Sequence, residues 1–222
     1  MNPKNRPLMI VGAVVVAILA LAGIALALSG GDDDAAGDGD EPVPTYSDDA
    51  EQFGAVEVAG AALPEYFATE TDRAVGMAAP VVTGQDFDGN PITLGGEQPN
   101  ATMLVFLAHW CSHCNNEVPR ILEANANGAI PADLDVIGIS TGANEAAPNW
   151  PPSEWVVKKG WLWPTMVDDE QQSTMQAFGG TSYPSMMILD ADGTVVARTS
   201  GELSVDDLTA WISDAMASID TA

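Results

Sequence analysis

The chain has 222 residues, a formal net charge of −25 and 46% hydrophobic residues, so it can hold one or two domains with a substantial core. Only seven residues are Lys or Arg, which argues against nucleic-acid binding because phosphate contacts depend on these side chains. The same acidity argues against binding to anionic lipid surfaces and is typical of a well-solvated protein surface.

An apolar run near the N-terminus predicts a transmembrane anchor. Lys4 and Arg6 precede an uncharged run from Leu8 to Leu28, which would span about 31 Å as a helix, close to the thickness of the bilayer hydrocarbon. Because the basic residues lie before the run and an Asp-rich stretch follows it, residues 1–7 are expected in the cytoplasm and the domain outside it. The alternative is a signal peptide cleaved at Ala25-Leu26-Ala27, although such peptides usually have a shorter apolar core.

The segment after the apolar run predicts a tether. Residues 29–52 are rich in Gly, Asp and Ala and include three consecutive aspartates, Asp32 to Asp34, so we expect them to be extended and disordered. Residues 53–75 are then expected to form a flanking extension, and residues 76–220 a folded domain. Both interpretations of the N-terminus place this domain outside the cytoplasm, where disulfides persist.

Strand and helix patterns alternate along the folded region. Apolar or alternating segments predict strands at 56–58, on both sides of the turn within 79–96, and at 102–109, 134–140, 183–190 and 194–201. Apolar residues at helical spacing predict helices after Cys111, over 152–160 and from Ser204 to Ile219. This order predicts an α/β fold, in which helices flank a central mixed sheet.

Both cysteines and both histidines lie in one segment, HWCSHC, at residues 109–114. Cys111 follows a predicted buried strand and begins a helix, where unpaired backbone N–H groups and the helix dipole stabilise a thiolate. Cys114 lies one turn further along the same face, near enough to form a disulfide with Cys111. A strand–Cys-x-x-Cys–helix unit therefore predicts a redox-active pair, in which Cys111 attacks and Cys114 resolves.

Three alternative roles for this segment fit its residues less well. A zinc site needs about four converging ligands, whereas these cysteines and histidines lie within six consecutive residues. Haem attachment requires a His directly after the second Cys, where the chain has Asn115. A purely structural disulfide that closes so short a loop adds little stability. No metal or organic cofactor is therefore expected.

Several motifs in combination resemble the TlpA/ResA-type thiol-disulfide oxidoreductases, which are membrane-anchored members of the thioredoxin-like superfamily. GMAAPVVTGQDFDGNPITL is similar to the N-terminal hairpin of that family, and VFLAHWCSHCNNEVP to its active-site strand and helix. WPTMVDD and AFGGTSYPSMMILDADGTVVARTSGEL resemble its C-terminal half. The resemblance extends from about Gly76 to Ile219 and implies a thioredoxin-like fold.

The resemblance also implies roles for residues around the cysteines. Tyr183-Pro184 matches the cis-proline position, which in the family lies against the cysteine pair and exposes backbone that pairs with substrate. Trp110 precedes the first Cys, and Glu117 follows the second by three positions, as in the family. Thioredoxin has a buried Asp where this chain has Val105, so Glu117 is the nearest candidate to deprotonate the buried thiol. Its alternative is a solvent-facing helix residue.

The two histidines lead to different expectations. His113 precedes Cys114, as in oxidising members of the superfamily, and its ring is expected to reach the sulfur of Cys111 and stabilise the thiolate. The alternative for His113 is a surface residue without a role. His109 lies at the end of the predicted strand, where local packing is favoured over catalysis.

Together these features predict a membrane-tethered, extracytoplasmic thiol-disulfide oxidoreductase that acts on protein thiols or disulfides and is reset by a membrane redox partner. The family resemblance implies reduction, as in cytochrome c maturation, whereas His113 favours oxidation, as in the folding of secreted proteins. One alternative is a peroxidase of the peroxiredoxin kind, which would need a Thr at Ala108. Another is a copper-delivering assembly factor, which would need a distant His that the sequence lacks.

Overall fold

In the computed structural model, which describes residues 43–219 and 221, eight strands form one mixed sheet. The strands are β1 (Glu57–Ala59), β2 (Val81–Gln85), β3 (Pro91–Leu94), β4 (Ala101–Leu107), β5 (Leu134–Ser140), β6 (Thr165–Val167), β7 (Ser185–Leu189) and β8 (Val195–Ser200). Their order in the sheet is β1-β2-β6-β5-β4-β7-β8, and β3 pairs with β2. The helices are α1 (Ser112–Ala126), α2 (Pro152–Lys158), α3 (Ser173–Ala177) and α4 (Val205–Ile219).

The centre of the sheet brings the cysteine segment to one edge. All seven residues of β4 are buried, as its uninterrupted apolar sequence predicts. β4 pairs in parallel with β5 and antiparallel with β7, and β5 pairs in parallel with β6. Because β4, β5 and β6 run in the same direction, the segments that follow them leave the sheet at the same edge. Cys111 lies in the first of these segments.

Helices cover both faces of the sheet, as predicted. Met103, Val105 and Leu107 of β4 pack into the core beneath α1, α2 and α4, whereas Leu104 and Phe106 pack toward α3 on the other face. This alternation follows from the two-residue period of a strand. The predicted α/β fold, in which helices flank a central mixed sheet, is therefore confirmed.

Two short elements were not predicted, β6 and α3. With three and five residues, neither is long enough to show a period in the sequence. The start of α3 is explained by Asp168, which lies directly after β6. Its carboxylate accepts the backbone N–H groups of Thr174 at 2.9 Å and Met175 at 3.2 Å. A buried carboxylate that accepts these N–H groups stabilises the first turn of α3.

The start of α4 agrees with the sequence. The backbone N–H of Asp207 donates to the Ser204 hydroxyl at 3.1 Å, and that hydroxyl donates to the Asp207 carboxylate at 2.7 Å. Ser204 therefore caps the helix, as the Ser-x-x-Asp spacing predicts.

The predicted anchor, Leu8–Leu28, and most of the predicted tether lie outside the described residues. Within residues 43–219, no helix has both the length and the apolarity needed to cross a membrane.

The last part of the predicted tether contacts the domain. The ring of Tyr46 packs edge-on against Phe87 with their centroids 4.7 Å apart. Gln52 accepts the backbone N–H of Ser153 at 3.0 Å and donates to its hydroxyl at 2.9 Å. Residues 43–52 thus lie on the domain, held there by the ring of Tyr46 and the amide of Gln52. The acidic composition of the whole segment gave no indication of these two contacts.

Arg198 on β8 holds the flanking extension. Its side chain is 3% exposed and donates two hydrogen bonds to the carboxylate of Asp72. It also donates to the backbone carbonyls of Pro64 at 2.9 Å and Phe178 at 3.1 Å. The guanidinium lies over the ring of Tyr66, 5.3 Å from its centroid. The predicted extension is therefore attached to the domain through this buried side chain, in addition to β1, which pairs with β2 in the sheet.

The chain then continues along the outer edge of β8. The N–H of Gly76 donates to the carbonyl of Val195, and the N–H of Val195 donates to the carbonyl of Met77, both at 2.9 Å. An isolated bridge joins Ala78 and Thr194. The edge of β8 that faces away from β7 is thus partly paired with the chain's own backbone.

Candidate active site

The two cysteines lie where β4 is followed by α1. Cys111 is the N-cap of α1, in an extended backbone conformation, and no side chain caps the helix there. Cys114, one turn later, is fully buried, and its sulfur accepts the backbone N–H of Ala108 at 3.5 Å. Cys111 is 8% exposed, and both thiols are free. Of the two cysteines, only Cys111 therefore has surface open to solvent.

The two sulfurs have different electrostatic surroundings. Cys111 lies at the positive end of a 15-residue helix that has no acidic residue in its first turn, a position that favours an anion. Burial raises the pKa of the Cys114 thiol far above its usual range, although the Ala108 N–H opposes the shift. The arrangement therefore separates an attacking thiol from one that stays protonated until a base removes its proton.

The cis-proline segment contacts the reactive sulfur. The peptide bond between Tyr183 and Pro184 is cis, as the resemblance implies, and the thiol of Cys111 donates to the carbonyl of Tyr183 at 3.7 Å. The peptide bond between Trp150 and Pro151 is also cis, which was not predicted.

Trp110 forms the exposed surface beside Cys111. Its ring stands nearly perpendicular to that of Tyr183, with centroids 5.9 Å apart, and its indole N–H donates to the carbonyl of Gly142 at 2.7 Å. The side chain is one of the exposed large apolar groups of the described residues. These contacts indicate that Trp110 and Tyr183 shape the surface on which a polypeptide would meet Cys111.

Glu117 is buried beneath the cysteine pair. Its side chain is 0% exposed, which excludes the solvent-facing alternative, and it lies one helical turn after Cys114, where side chains are neighbours. One carboxylate oxygen accepts the backbone N–H of Leu203 at 3.0 Å and lies 3.4 Å from the Arg120 guanidinium. The other oxygen is buried and has no hydrogen-bond partner among the described residues. Burial raises the pKa of Glu117, which the Leu203 N–H and Arg120 oppose.

The ring of His113 does not contact Cys111 as expected. Its Nδ1 lies 2.5 Å from a carboxylate oxygen of Glu202, and the side chain is 65% exposed. Among the described residues, the hydrogen bond of the Cys111 sulfur goes to Tyr183 instead. The expectation is corrected for a physical reason: a carboxylate is a stronger acceptor for an imidazole N–H than a thiol sulfur is.

Glu202 is the site residue that sequence reasoning missed. It follows β8 and accepts hydrogen bonds from Asn116 at 3.0 Å and Arg120 at 2.6 Å, in addition to its contact with His113. These hydrogen bonds, the one from His113 first, lower the pKa of Glu202 to about 2. The only signal in the sequence was the spacing of the three α1 residues, which places their side chains on one helical face.

His109 packs locally, as predicted. It is 1% exposed; its Nδ1 lies 2.8 Å from the carbonyl of Pro148, and its Nε2 accepts the N–H of Asn144 at 3.1 Å. Burial lowers the pKa of His109, and both ring nitrogens contact the loop after β5. The side chains of Asn115 and Asn149 donate to the His109 carbonyl at 3.1 and 3.0 Å.

The described residues contain no group of three or more His, Cys, Asp or Glu side chains placed to hold a metal ion. What the geometry offers is one reachable thiol, one buried thiol, a buried carboxyl beside the second thiol and an aromatic surface beside the first. Such a set can form a mixed disulfide with another protein and then resolve it.

Comparisons with known proteins agree with this chemistry. Residues 75–198 match the AhpC/TSA family. The chain is 23% identical over 147 residues to the thiol-disulfide oxidoreductase ResA of Bacillus thuringiensis strain Al Hakam, covering 66% of this chain and 82% of that protein. It is 22% identical over 147 residues to ResA of Geobacillus thermodenitrificans, covering 64% and 79%. In fold it is similar to the thioredoxin domain of a thiol-disulfide oxidoreductase from Bacteroides vulgatus, with a TM-score of 0.50, 22% identity and coverage of 64% and 96%.

Proposed function

The chain belongs to the AhpC/TSA family, as a thioredoxin-like thiol-disulfide oxidoreductase of the TlpA/ResA type, and we propose that it acts on proteins outside the cytoplasm through Cys111 and Cys114. One observation carries the proposal: Cys111 occupies the N-cap position of α1 and is slightly exposed, while Cys114, one turn later, is fully buried. The Tyr183 carbonyl against the Cys111 sulfur supports it, because backbone at this position can pair with an extended substrate.

The proposed exchange has two steps. The Cys111 thiolate attacks one sulfur of a substrate disulfide, forms a mixed disulfide and releases the first substrate thiolate. Cys114 then loses its proton and attacks the sulfur of Cys111, which releases the second substrate thiolate and leaves a Cys111–Cys114 disulfide. Two electrons pass from the pair to the substrate, and the reverse sequence oxidises a substrate dithiol. Each cycle therefore requires a redox partner, proposed to lie in the membrane, that resets the pair.

We propose reduction as the direction in the cell, as in the preparation of apocytochrome c for haem. Oxidation was expected from the position of His113 and from a contact of its ring with the Cys111 sulfur, but the ring contacts Glu202 instead. Trapping thiols in intact cells with an alkylating tag tests the direction. A pair found mostly as thiols supports a reductase, whereas a pair found mostly as disulfide supports an oxidase.

The roles of the two cysteines lead to a prediction about reactivity. In the reduced full-length chain near neutral pH, iodoacetamide should modify Cys111 rapidly and Cys114 slowly, because only Cys111 is reachable. A Cys114→Ser variant should accumulate mixed disulfides with substrate proteins, while Cys111→Ser should form few and lose thiol exchange to background. Mass spectrometry of the alkylated peptides and non-reducing gels measure both. Equal alkylation rates, or exchange retained in Cys111→Ser, would overturn the assignment.

A peroxidase is the second candidate, and the match to the AhpC/TSA family is the observation that favours it. The position that should carry an activating Thr is occupied by Ala108, which is fully buried. We therefore expect the reduced chain to consume hydrogen peroxide no faster than an ordinary low-molecular-weight thiol. Rapid consumption that disappears in Cys111→Ser would favour the peroxidase over the oxidoreductase.

We also propose that residues 8–28 anchor the chain, with its domain outside the cytoplasm. The length of the apolar run and the position of Lys4 and Arg6 before it support this. The full chain should remain with membranes after washing with alkaline carbonate, and protease added from outside should digest the domain. A soluble product that begins near Leu28 would show instead that the segment is a cleaved signal peptide.

A further inference from the structure

The Glu202 carboxylate is bound by three donors from one face of α1. His113, Asn116 and Arg120 are spaced by three and four residues, which places them in a row along the helix. One oxygen of Glu202 lies 2.5 Å from His113 Nδ1 and 3.0 Å from Asn116 Nδ2, and the other lies 2.6 Å from Arg120. The next residue, Leu203, donates its N–H to Glu117 on the same helix. The loop after β8 is thus fixed to the first turns of α1.

This contact determines what His113 does beside the cysteines. His113 lies between Cys111 and Cys114 in the first turn of α1, and the Cys111 sulfur is the partner that the sequence predicted for its ring. In the structure the ring faces Glu202, and the Cys111 thiol donates to the Tyr183 carbonyl. A carbonyl acceptor favours the protonated thiol, whereas an imidazole donor would favour the thiolate.

We infer that Glu202 is a positioning residue, which holds the His113 ring away from Cys111 and so limits the stabilisation that this ring gives to the thiolate. The consequence for function rests on the proposed activity: a less stabilised thiolate makes the pair more reducing, in agreement with the proposed direction. The titratable groups around the pair include Glu117, Arg120, Cys114 and Tyr183, and the test must separate their effects from that of His113.

The test is a pH titration of thiolate absorbance in the reduced full-length chain. Burial keeps Cys114 protonated, so the absorbance change below about pH 9 reports Cys111. Burial also raises the pKa of the three tyrosines, Tyr46, Tyr66 and Tyr183, which keeps their absorbance out of this range. Glu202→Gln should lower the midpoint by about 0.3 to 0.7 pH units, as expected for a partly exposed charge pair. Below the midpoint, alkylation of Cys111 should become about two- to fivefold faster.

A double-mutant cycle shows whether the effect passes through His113. In a His113→Ala background, Glu202→Gln should shift the midpoint less than half as far, because only the direct repulsion between carboxylate and thiolate remains. Glu202→Asp keeps the charge but is one methylene shorter, so it should resemble Glu202→Gln if holding the ring is what matters. Glu123→Gln removes an exposed carboxylate from the same helix and should leave the midpoint unchanged.

Two results would overturn the inference. Equal shifts with and without His113 would mean that Glu202 acts by its charge alone, and an unchanged midpoint in Glu202→Gln would mean that it does not act on the thiol at all. If Glu202→Gln fails to fold, as judged by circular dichroism, Glu202→Asp decides the same question. The titration needs no substrate, so it tests this inference separately from the proposed function. If the wild-type chain catalysed no thiol exchange, the proposed function would be rejected, but the titration could still be carried out.

Discussion

Replacing Glu117 with Gln is expected to slow the second step of thiol exchange, the attack of Cys114 on the mixed disulfide, by about 10²–10⁴-fold at neutral pH. Cys114 must lose a proton in a site where burial strongly opposes ionisation. Glu117 lies one helical turn away, is fully buried and has one oxygen free of hydrogen bonds among the described residues, so it is placed to take that proton. A Gln keeps an oxygen to accept the Leu203 N–H but cannot act as a base.

The dependence on pH gives a second readout of Glu117. Burial raises its folded-state pKa above the ordinary value of 4.5, so the carboxylate form is lost as the pH falls toward that raised pKa. In the wild type, the rate of resolution should therefore rise with pH through this range and level off above it. In Glu117→Gln the rate should stay low and should not level off there, because only solvent hydroxide remains to remove the Cys114 proton.

Single-turnover measurement of a preformed mixed disulfide at Cys111 separates this step from the first one. Glu123→Gln is the matched control, and attack by Cys111 should change little in either variant. An unchanged rate of resolution in Glu117→Gln would mean that the carboxyl only accepts the Leu203 N–H.

Replacing Arg198 with Ala is expected to lower the free energy of unfolding by about 3–5 kcal/mol. The variant leaves Asp72 without its partner, and it leaves the carbonyls of Pro64 and Phe178 without the donor that they share. Arg73→Ala is the control, because its loss should cost less than about 0.5 kcal/mol at a position outside the buried core. Urea unfolding of the full chain, followed by tryptophan fluorescence, measures both.

Asp72 makes the Arg198 effect depend on pH. Burial opposes ionisation of Asp72, but the hydrogen bonds from Arg198 and the Ala74 N–H outweigh it, so its pKa lies below the ordinary 3.8. A lowered carboxyl pKa contributes stability that is complete above the unfolded value and is lost as the pH falls through the folded one. The difference between wild type and Arg198→Ala should therefore narrow below about pH 4. A difference under about 1 kcal/mol at neutral pH would mean that water replaces the lost contacts.

The elements with strong local signals could be predicted from the sequence. β5 spans residues 134–140 in the prediction and in the structure. The helices α1, α2 and α4 lie where apolar spacing and helix-end residues predicted them. β6 and α3 could not be predicted. The three residues of β6 become a strand only by pairing with β5 and β2, and α3 begins where the Asp168 carboxylate accepts its N–H groups. Such partners are absent from any short window of sequence.

Some residues of the candidate site could likewise be predicted, and others could not. The cysteine pair follows from motif spacing next to a predicted strand, whereas the cis peptide before Pro184 and the importance of Glu117 were implied by the family resemblance. Glu202 lies 89 residues from His113 and Asp72 lies 126 residues from Arg198, so these partners become visible only when the fold joins them. A sequence shows that His113 can donate, but not which of two acceptors the fold brings nearer.

The backbone pairing along β8 also affects whether the protein associates with other polypeptide chains. β8 is the last strand of the sheet, and an open last strand offers free N–H and C=O groups to which another polypeptide can add. Gly76 and Met77 already use those groups of Val195, and the extension before them is held by Arg198. We therefore expect residues 76–78 to hinder edge-to-edge aggregation by covering this part of β8. A shortened chain that begins at residue 79 would expose this edge and would also remove β1 from the opposite end of the sheet. It should self-associate at concentrations where the full domain stays monodisperse.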